Sequence, residues 1–215
     1  MANRAARPRI LLDDDAGRAA ALEVLTAGGV IALPTDTVYG IAVQLNTPDG
    51  IERLFHVKRR PLEKAIALLL STPEQAGAVG LPNAASRLLA AAFWPGALTI
   101  VLPRNPEAEL PDVLTEGVPT VGVRLPDHPT PRWLAAHLGP LPTTSANLSG
   151  APDALDAEMV VEQLGVRVDL ILDGGRTPGA LASTVVDCTG PTPRVLREGA
   201  IGAGRILGAL GLRAE

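Results

Sequence analysis

Aromatic residues are scarce: Tyr39, Phe55, Phe93, Trp94 and Trp133 are all that 215 residues contain. Ala, Val, Leu and Ile must therefore build the core, and the stacking platforms of a single-strand nucleic-acid binder are missing. Positive charge is short as well. Nineteen Lys and Arg stand against 23 Asp and Glu, a formal net charge of −4, which removes long-range attraction to phosphate backbones. One cysteine, Cys188, leaves no disulfide framework and no cysteine-rich zinc site. No run of about 18 apolar residues occurs, and "MANRAARPRI" at the start has no apolar core of the secretory type. The expectation is a soluble, cytoplasmic protein that makes no use of a membrane. Nucleotide loops of the usual kind are absent too. "GGRTPG" lacks the lysine of G-x-x-x-x-G-K-[ST], and no G-x-G-x-x-G follows a strand. His56, His128 and His137 lack metal-ligand spacing and read as surface residues. Cys188 reads as a small core residue. No protein-ligated metal is expected.

What is present alternates. "AGRAAALEVLTAGG" has helix composition and stops on Gly28 and Gly29. "VIALPT" reads as a buried strand. A helix over 48–60 is expected, with Thr47 as its cap, Pro48 in its first turn and Pro61 as its stop. "AIALLL", "ALTIVLP", "TVGVRLP" and "GPLPTTSA" read as strands bounded by Pro or Gly. Helical material fills roughly 73–93, 130–138 and 156–164. "VDLILDGG", "ASTVVD" and "PRVLRE" give the last strands, and 202–211 a closing helix. Interleaved strands and helices mean an α/β class with a mixed sheet. One domain, 1–215, is expected, since no stretch has linker composition.

Five stretches carry chemistry. In "HVKRRPLEKA", Lys58 follows Leu54 by four and Phe55 by three, so it continues the apolar stripe of its helix. Arg59 points elsewhere, and Arg60 stands at the proline stop. Dipole complementation, worth about 0.3–1 kcal/mol, accounts for Arg59 but not for a lysine on the apolar stripe. "LPTDTVYG" ends a buried strand with Thr35, Asp36 and Thr37, the place where open α/β sheets bind ligands. A Ser/Thr or Asx turn is the plainer reading of it. "PTTSANLSG" repeats the pattern with Thr143, Thr144, Ser145, Asn147 and Ser149. "LASTVVD" puts Ser183 and Thr184 at a strand start. Arg124 lies inside the strand "TVGVRLP", where a cation needs a buried partner or a ligand. Together these describe a cavity of hydroxyls, one amide and three or four cations. It suits an anionic ligand with phosphate and carboxylate groups and names no reaction.

"PTDTVYG", "KRRP", "WPGALTIVL", "VGVRLP", "TSANLSG" and "STVVD…RVLREGAI" occur in one order and spacing over about residues 16–202. In this the chain resembles the YrdC-like family, the threonylcarbamoyl-AMP synthases, in its short, single-domain form. The resemblance implies a twisted mixed parallel/antiparallel α/β sheet with flanking helices around a basic concave cavity. It implies the joining of L-threonine, bicarbonate or CO2, and ATP with Mg2+ into threonylcarbamoyl-AMP, with release of pyrophosphate. Downstream, a tRNA-modifying threonylcarbamoyl transferase complex would use the product, and weak RNA binding would accompany it. By the same resemblance Thr35, Arg124, Thr144 and Ser183 meet L-threonine. Lys58 and Arg60 meet the ATP phosphates as the catalytic cations, and Thr120, Ser145, Asn147 and Arg197 lie on the nucleotide side. Some family members have a histidine after the K-x-R-P segment; here Leu68 or Leu69 stands there. The competing expectation is a YrdC-like paralogue that binds nucleotide or double-stranded RNA and makes no adenylate. The related domain of hydrogenase-maturation carbamoyltransferases would come with cysteine-rich zinc modules, which one cysteine does not supply.

Overall fold

The computed structural model describes residues 8–58, 66–115, 117–179 and 181–212. Arg59 and Arg60 therefore lie outside the described residues. Ten strands form one sheet: β1 (Arg9–Leu12), β2 (Ile31–Leu33), β3 (Gly40–Ala42), β4 (Ala67–Leu69), β5 (Leu98–Pro103), β6 (Thr120–Arg124), β7 (Leu141–Ser145), β8 (Leu170–Asp173), β9 (Thr184–Asp187) and β10 (Arg194–Arg197). Their order is β1-β8-β2-β3-β7-β4-β6-β5-β9-β10. Parallel pairs (β1 with β8, β2 with β8, β4 with β6, β5 with β9) are mixed with antiparallel ones (β2 with β3, β3 with β7, β4 with β7, β5 with β6, β9 with β10). This is the mixed α/β sheet expected from the sequence.

Eight α-helices are described: α1 (Asp15–Thr26), α2 (Gly50–Lys58), α3 (Gln75–Val79), α4 (Ala84–Phe93), α5 (Asp112–Thr115), α6 (Pro129–Leu138), α7 (Ala157–Gln163) and α8 (Ala203–Ala209). Side-chain caps fix several starts. Asp14 accepts from the Gly17 amide at 2.8 Å and Asp156 from Met159 at 2.9 Å, each worth about 1 kcal/mol. Asn83 and Ser86 form a reciprocal capping box on α4.

Strand alternation separates two apolar layers. Ala32, Leu68, Ile100, Val123 and Ile171 face the larger one, which takes residues from α2, α3, α4, α5, α7 and α8. Ile31, Leu33, Leu69, Leu141, Leu170 and Leu172 face the smaller one, closed by Ala21 and Leu25 of α1 and Leu134 of α6. On that second face α1 packs over β2 and β8, and α6 over β4 and β7. Further along, across β6, β5 and β9, the same side of the strands carries Thr99, Thr120, Gly122, Arg124 and Val185, and these line a cavity. Half of one sheet face is thus used for packing and half for a site.

Several local expectations need correction. The helix containing Lys58 begins at Gly50, not Pro48. Asp49 sits at φ 55, and the Thr47 carbonyl, not its side chain, accepts from the Gly50 amide at 3.1 Å. The helical stretch 73–93 is two helices, broken where Gly80 pairs with Arg104 in an isolated bridge ahead of Pro82. His128 is no surface residue: half-buried, its Nδ1 accepts from the Thr130 amide at 3.3 Å and caps α6. Burial lowers its pKa. His56 and His137 are exposed. Cys188 is buried, and burial pushes its thiol up to about 11, as suits a core residue.

Candidate active site

The cavity has a volume of about 270 Å³. Of the ten residues singled out from sequence, it gathers Thr35, Thr120, Arg124, Thr144, Ser145, Ser183 and Arg197 into one wall. Lys58 and Asn147 stand one contact behind that wall, both bonded to Ser145. Arg60 lies outside the described residues.

The turn after β2 forms one end. Thr35 Oγ1 donates to the Val38 carbonyl at 2.7 Å and accepts from the Thr37 amide at 3.1 Å. The plain Ser/Thr-turn reading of this stretch therefore holds. It also does more, because the turn presents Asp36 and Thr37 to Arg124. Arg124 is 6% exposed. Its Nε donates to the Gly96 carbonyl at 3.0 Å, Nη1 to Thr37 Oγ1 at 2.9 Å and Nη2 to Asp36 Oδ1 at 2.6 Å. Three of the guanidinium's five donors thus go to protein acceptors. Burial lowers the Arg124 pKa, while the charge of Asp36 and its hydrogen bond oppose that shift. The buried partner that a cation on β6 requires is Asp36, 88 residues away in sequence.

The end of β7 forms another side. Lys58, last residue of α2, is 2% exposed. Its ammonium donates to the Ser145 carbonyl, to Ser145 Oγ at 3.1 Å and to Asn147 Oδ1 at 2.9 Å. Ser145 Oγ in turn donates to Asn147 Oδ1 at 2.6 Å, and Asn147 Nδ2 to the Ala151 carbonyl at 2.6 Å. A cation buried this deeply is no solvated helix-end charge, so dipole complementation does not account for Lys58. Thr144 lines the cavity half-buried.

The third side comes from β9 and β10. Ser183, 7% exposed, shares a hydrogen bond of 2.8 Å with Thr99. Arg197 Nη2 donates to the Ser183 carbonyl at 2.7 Å and approaches its Oγ at 3.3 Å. The β9–β10 register shifts between Val195 and Arg197; such irregularities re-aim side chains beside sites. Thr184, its neighbour in the motif, is structural. Its hydroxyl donates to the Ile201 carbonyl at 2.6 Å and accepts from the amides of Gly199 and Ile201.

Sequence reasoning did not assign four residues of this neighbourhood. Asp36 was an oxygen in a turn, with no signal for its partner. Tyr39 lines the cavity, donates from its hydroxyl to the Gly175 carbonyl at 2.8 Å and accepts from the Gly174 amide at 3.1 Å. Burial pushes its phenol up to about 12. Thr99 and Asp153 also line the wall. Leu68 is fully buried, and Leu69 supplies cavity wall.

The Sua5/YciO/YrdC family model, described as telomere recombination, matches residues 23–199. The chain belongs to this family. A Bacillus subtilis relative named threonylcarbamoyl-AMP synthase is 37% identical over 201 residues, 93% of this chain and 57% of that protein. A Mycobacterium tuberculosis relative is 36% identical over 200 residues, covering 92% of this chain and 91% of its own. The crystal structure of Pyrococcus abyssi Sua5 complexed with L-threonine superposes with a TM-score of 0.88 at 31% identity, over 96% of this chain and 61% of that one. The chain thus spans less than two thirds of the Bacillus and Pyrococcus proteins and nearly all of the Mycobacterium one. Among the described residues no helix is long and apolar enough to cross a membrane.

Proposed function

We propose that this chain is a threonylcarbamoyl-AMP synthase, making threonylcarbamoyl-AMP, pyrophosphate and water from L-threonine, bicarbonate and ATP. The observation that carries the reading is the gathering of seven residues from separate stretches of the sequence into one cavity wall. The shared name of its curated relatives and the threonine complex of a structural neighbour support it.

The chemistry runs in two steps. The neutral amine of threonine attacks CO2, formed from bicarbonate by loss of water, and the amine proton leaves to solvent. A carbamate oxygen then attacks the α-phosphorus of ATP, and the bond to the β-phosphate oxygen breaks with release of pyrophosphate. Such transfers need positioning and charge neutralisation more than covalent help. Arg124, held by Asp36, Thr37 and Gly96, takes the threonine carboxylate with its remaining donors. Thr35, Thr144 and Ser183 face the threonine hydroxyl and amine. Thr120, Ser145 and Arg197 take the nucleotide side. Lys58 places its charge behind Ser145 and, through Ser145 and Asn147, fixes the end of β7; Arg60 adds the second cation of that segment.

Among the described residues no group of three or more His, Cys, Asp or Glu is arranged to hold a metal ion. In this reading Mg2+ comes with ATP as part of the substrate. A cytoplasmic setting, where ATP and tRNA meet, and delivery to a tRNA-modifying threonylcarbamoyl transferase complex follow from the product.

Calorimetry with L-threonine and with Mg2+–ATP, followed by mass analysis of the product, tests the proposal. Binding of both and a threonine-bearing adenylate are expected. Nucleotide or duplex RNA binding without threonine binding would favour the paralogue that makes no adenylate.

A further inference from the structure

Strand β6 presents Thr120, Gly122 and Arg124 on one side, all three in the cavity wall. Same-face neighbours on a strand are about 7 Å apart. Gly122 therefore lies one step from the residue proposed on the nucleotide side and one step from the residue proposed on the amino-acid side. A ligand that reaches from Arg124 to Thr120 must pass over it.

The sheet leaves this spot unusually low. Gly122 pairs with Ala67 on β4 and with Val101 on β5. A Cβ at Gly122 would find Thr99 Cγ2 at 3.5 Å and Ala67 at 3.9 Å, ordinary van der Waals contact, with nothing nearer. No positive φ is recorded for it, so the glycine is not required by backbone conformation. The fold would accept a side chain here. Most strand positions with free room carry one, because a glycine inside a strand weakens it. The room above Gly122 is left for a ligand.

We infer that Gly122, with Ala67 beside it, is the floor beneath the bond being made, the point where the carbamate of the amino acid meets the α-phosphate. This rests on the proposed synthase reading. An added methyl would rise under the junction of the two substrates while touching neither outer end. Each substrate alone has room to settle to its own side; the pair brought together does not.

The test is Gly122→Ala. Threonine and Mg2+–ATP would each be titrated alone by calorimetry, and pyrophosphate release measured with both and bicarbonate. Dissociation constants within about twofold of the unaltered protein are expected, with a maximal rate at least about tenfold lower, the pattern of an interaction realised only when the reacting groups meet. Ala67→Val, which suits a strand and fills the same floor from β4, should reproduce the pattern, and an unchanged melting temperature for either variant shows that the fold is kept. An unchanged rate in both would overturn the inference. So would a loss of affinity for one substrate alone as large as the loss of rate, which would make Gly122 an ordinary contact of one subsite. Absence of any adenylate from the unaltered chain would instead overturn the synthase reading, and is told apart because it appears before any substitution is made.

Discussion

Replacing Asp36 by asparagine keeps shape and removes one charge. The Arg124–Asp36 pair has an N···O distance of 2.6 Å, with side chains 7% and 12% exposed. Breaking so buried a pair from one side leaves an uncompensated charge and costs about 3–5 kcal/mol. For a chain of this size each kcal/mol moves the melting temperature by about 2–4 °C, so a fall of about 6–20 °C is expected. The Thr37 and Gly96 bonds to Arg124 remain and hold the side chain near its place. A carboxylate supplied by the substrate can then replace the missing charge. L-threonine should raise the melting temperature of Asp36→Asn by more than it raises that of the unaltered protein, because binding now also relieves the orphaned guanidinium. Differential scanning calorimetry at several threonine concentrations reads both effects. A fall of less than about 2 °C would refute the claim that Asp36 balances Arg124. Equal stabilisation of the two proteins by threonine would refute the claim that the substrate carboxylate approaches Arg124.

Two further outcomes are expected. Tyr39 has its phenol raised to about 12 from 10.0 by burial, and Cys188 its thiol raised to about 11 from 9.0. Both groups are neutral when protonated, and the unfolded chain loses these protons first. Their contributions are whole below about pH 9 and are lost as pH rises towards 12. Tyr39 alone contributes on the order of 2 kcal/mol, so urea midpoints should fall above pH 10, and less steeply in Tyr39→Phe; an equal slope in that variant would assign the loss elsewhere. Lys58→Met keeps the apolar stem but removes the ammonium from Ser145 and Asn147. Pyrophosphate release should drop at least about a hundredfold with threonine affinity little changed, and near-normal turnover would show that Lys58 serves packing only.

How much of this was legible in the sequence follows from where the signals lie. Strands bounded by proline or glycine, such as "ALTIVLP" and "TVGVRLP", announced β5 and β6. β1 gave no such signal, because at the sheet edge Ile10 and Leu12 are exposed and nothing alternates. β3 is three residues long and opens on glycine, and α5 is four residues long. Both owe their form to their neighbours. Lys58 was readable from its spacing to Leu54 and Phe55, since a helix fixes faces locally. The Asp36–Arg124 pair was not, because it depends on the sheet order that carries β2 to β6 through β3, β7 and β4. His128 was misjudged for a related reason: a cap is set by the chain entering the helix, and histidine is not among the usual capping residues.

The central claim is that the cavity on the open half of the sheet joins threonine, as its carbamate, to AMP. The most direct measurement counts products with each substrate withheld in turn: pyrophosphate, and an adenylate carrying both threonine and one carbon from labelled bicarbonate. The account predicts equal amounts of the two, and neither when threonine, bicarbonate or ATP is left out. Pyrophosphate formed from threonine and ATP without bicarbonate, or a product lacking the bicarbonate carbon, would contradict it.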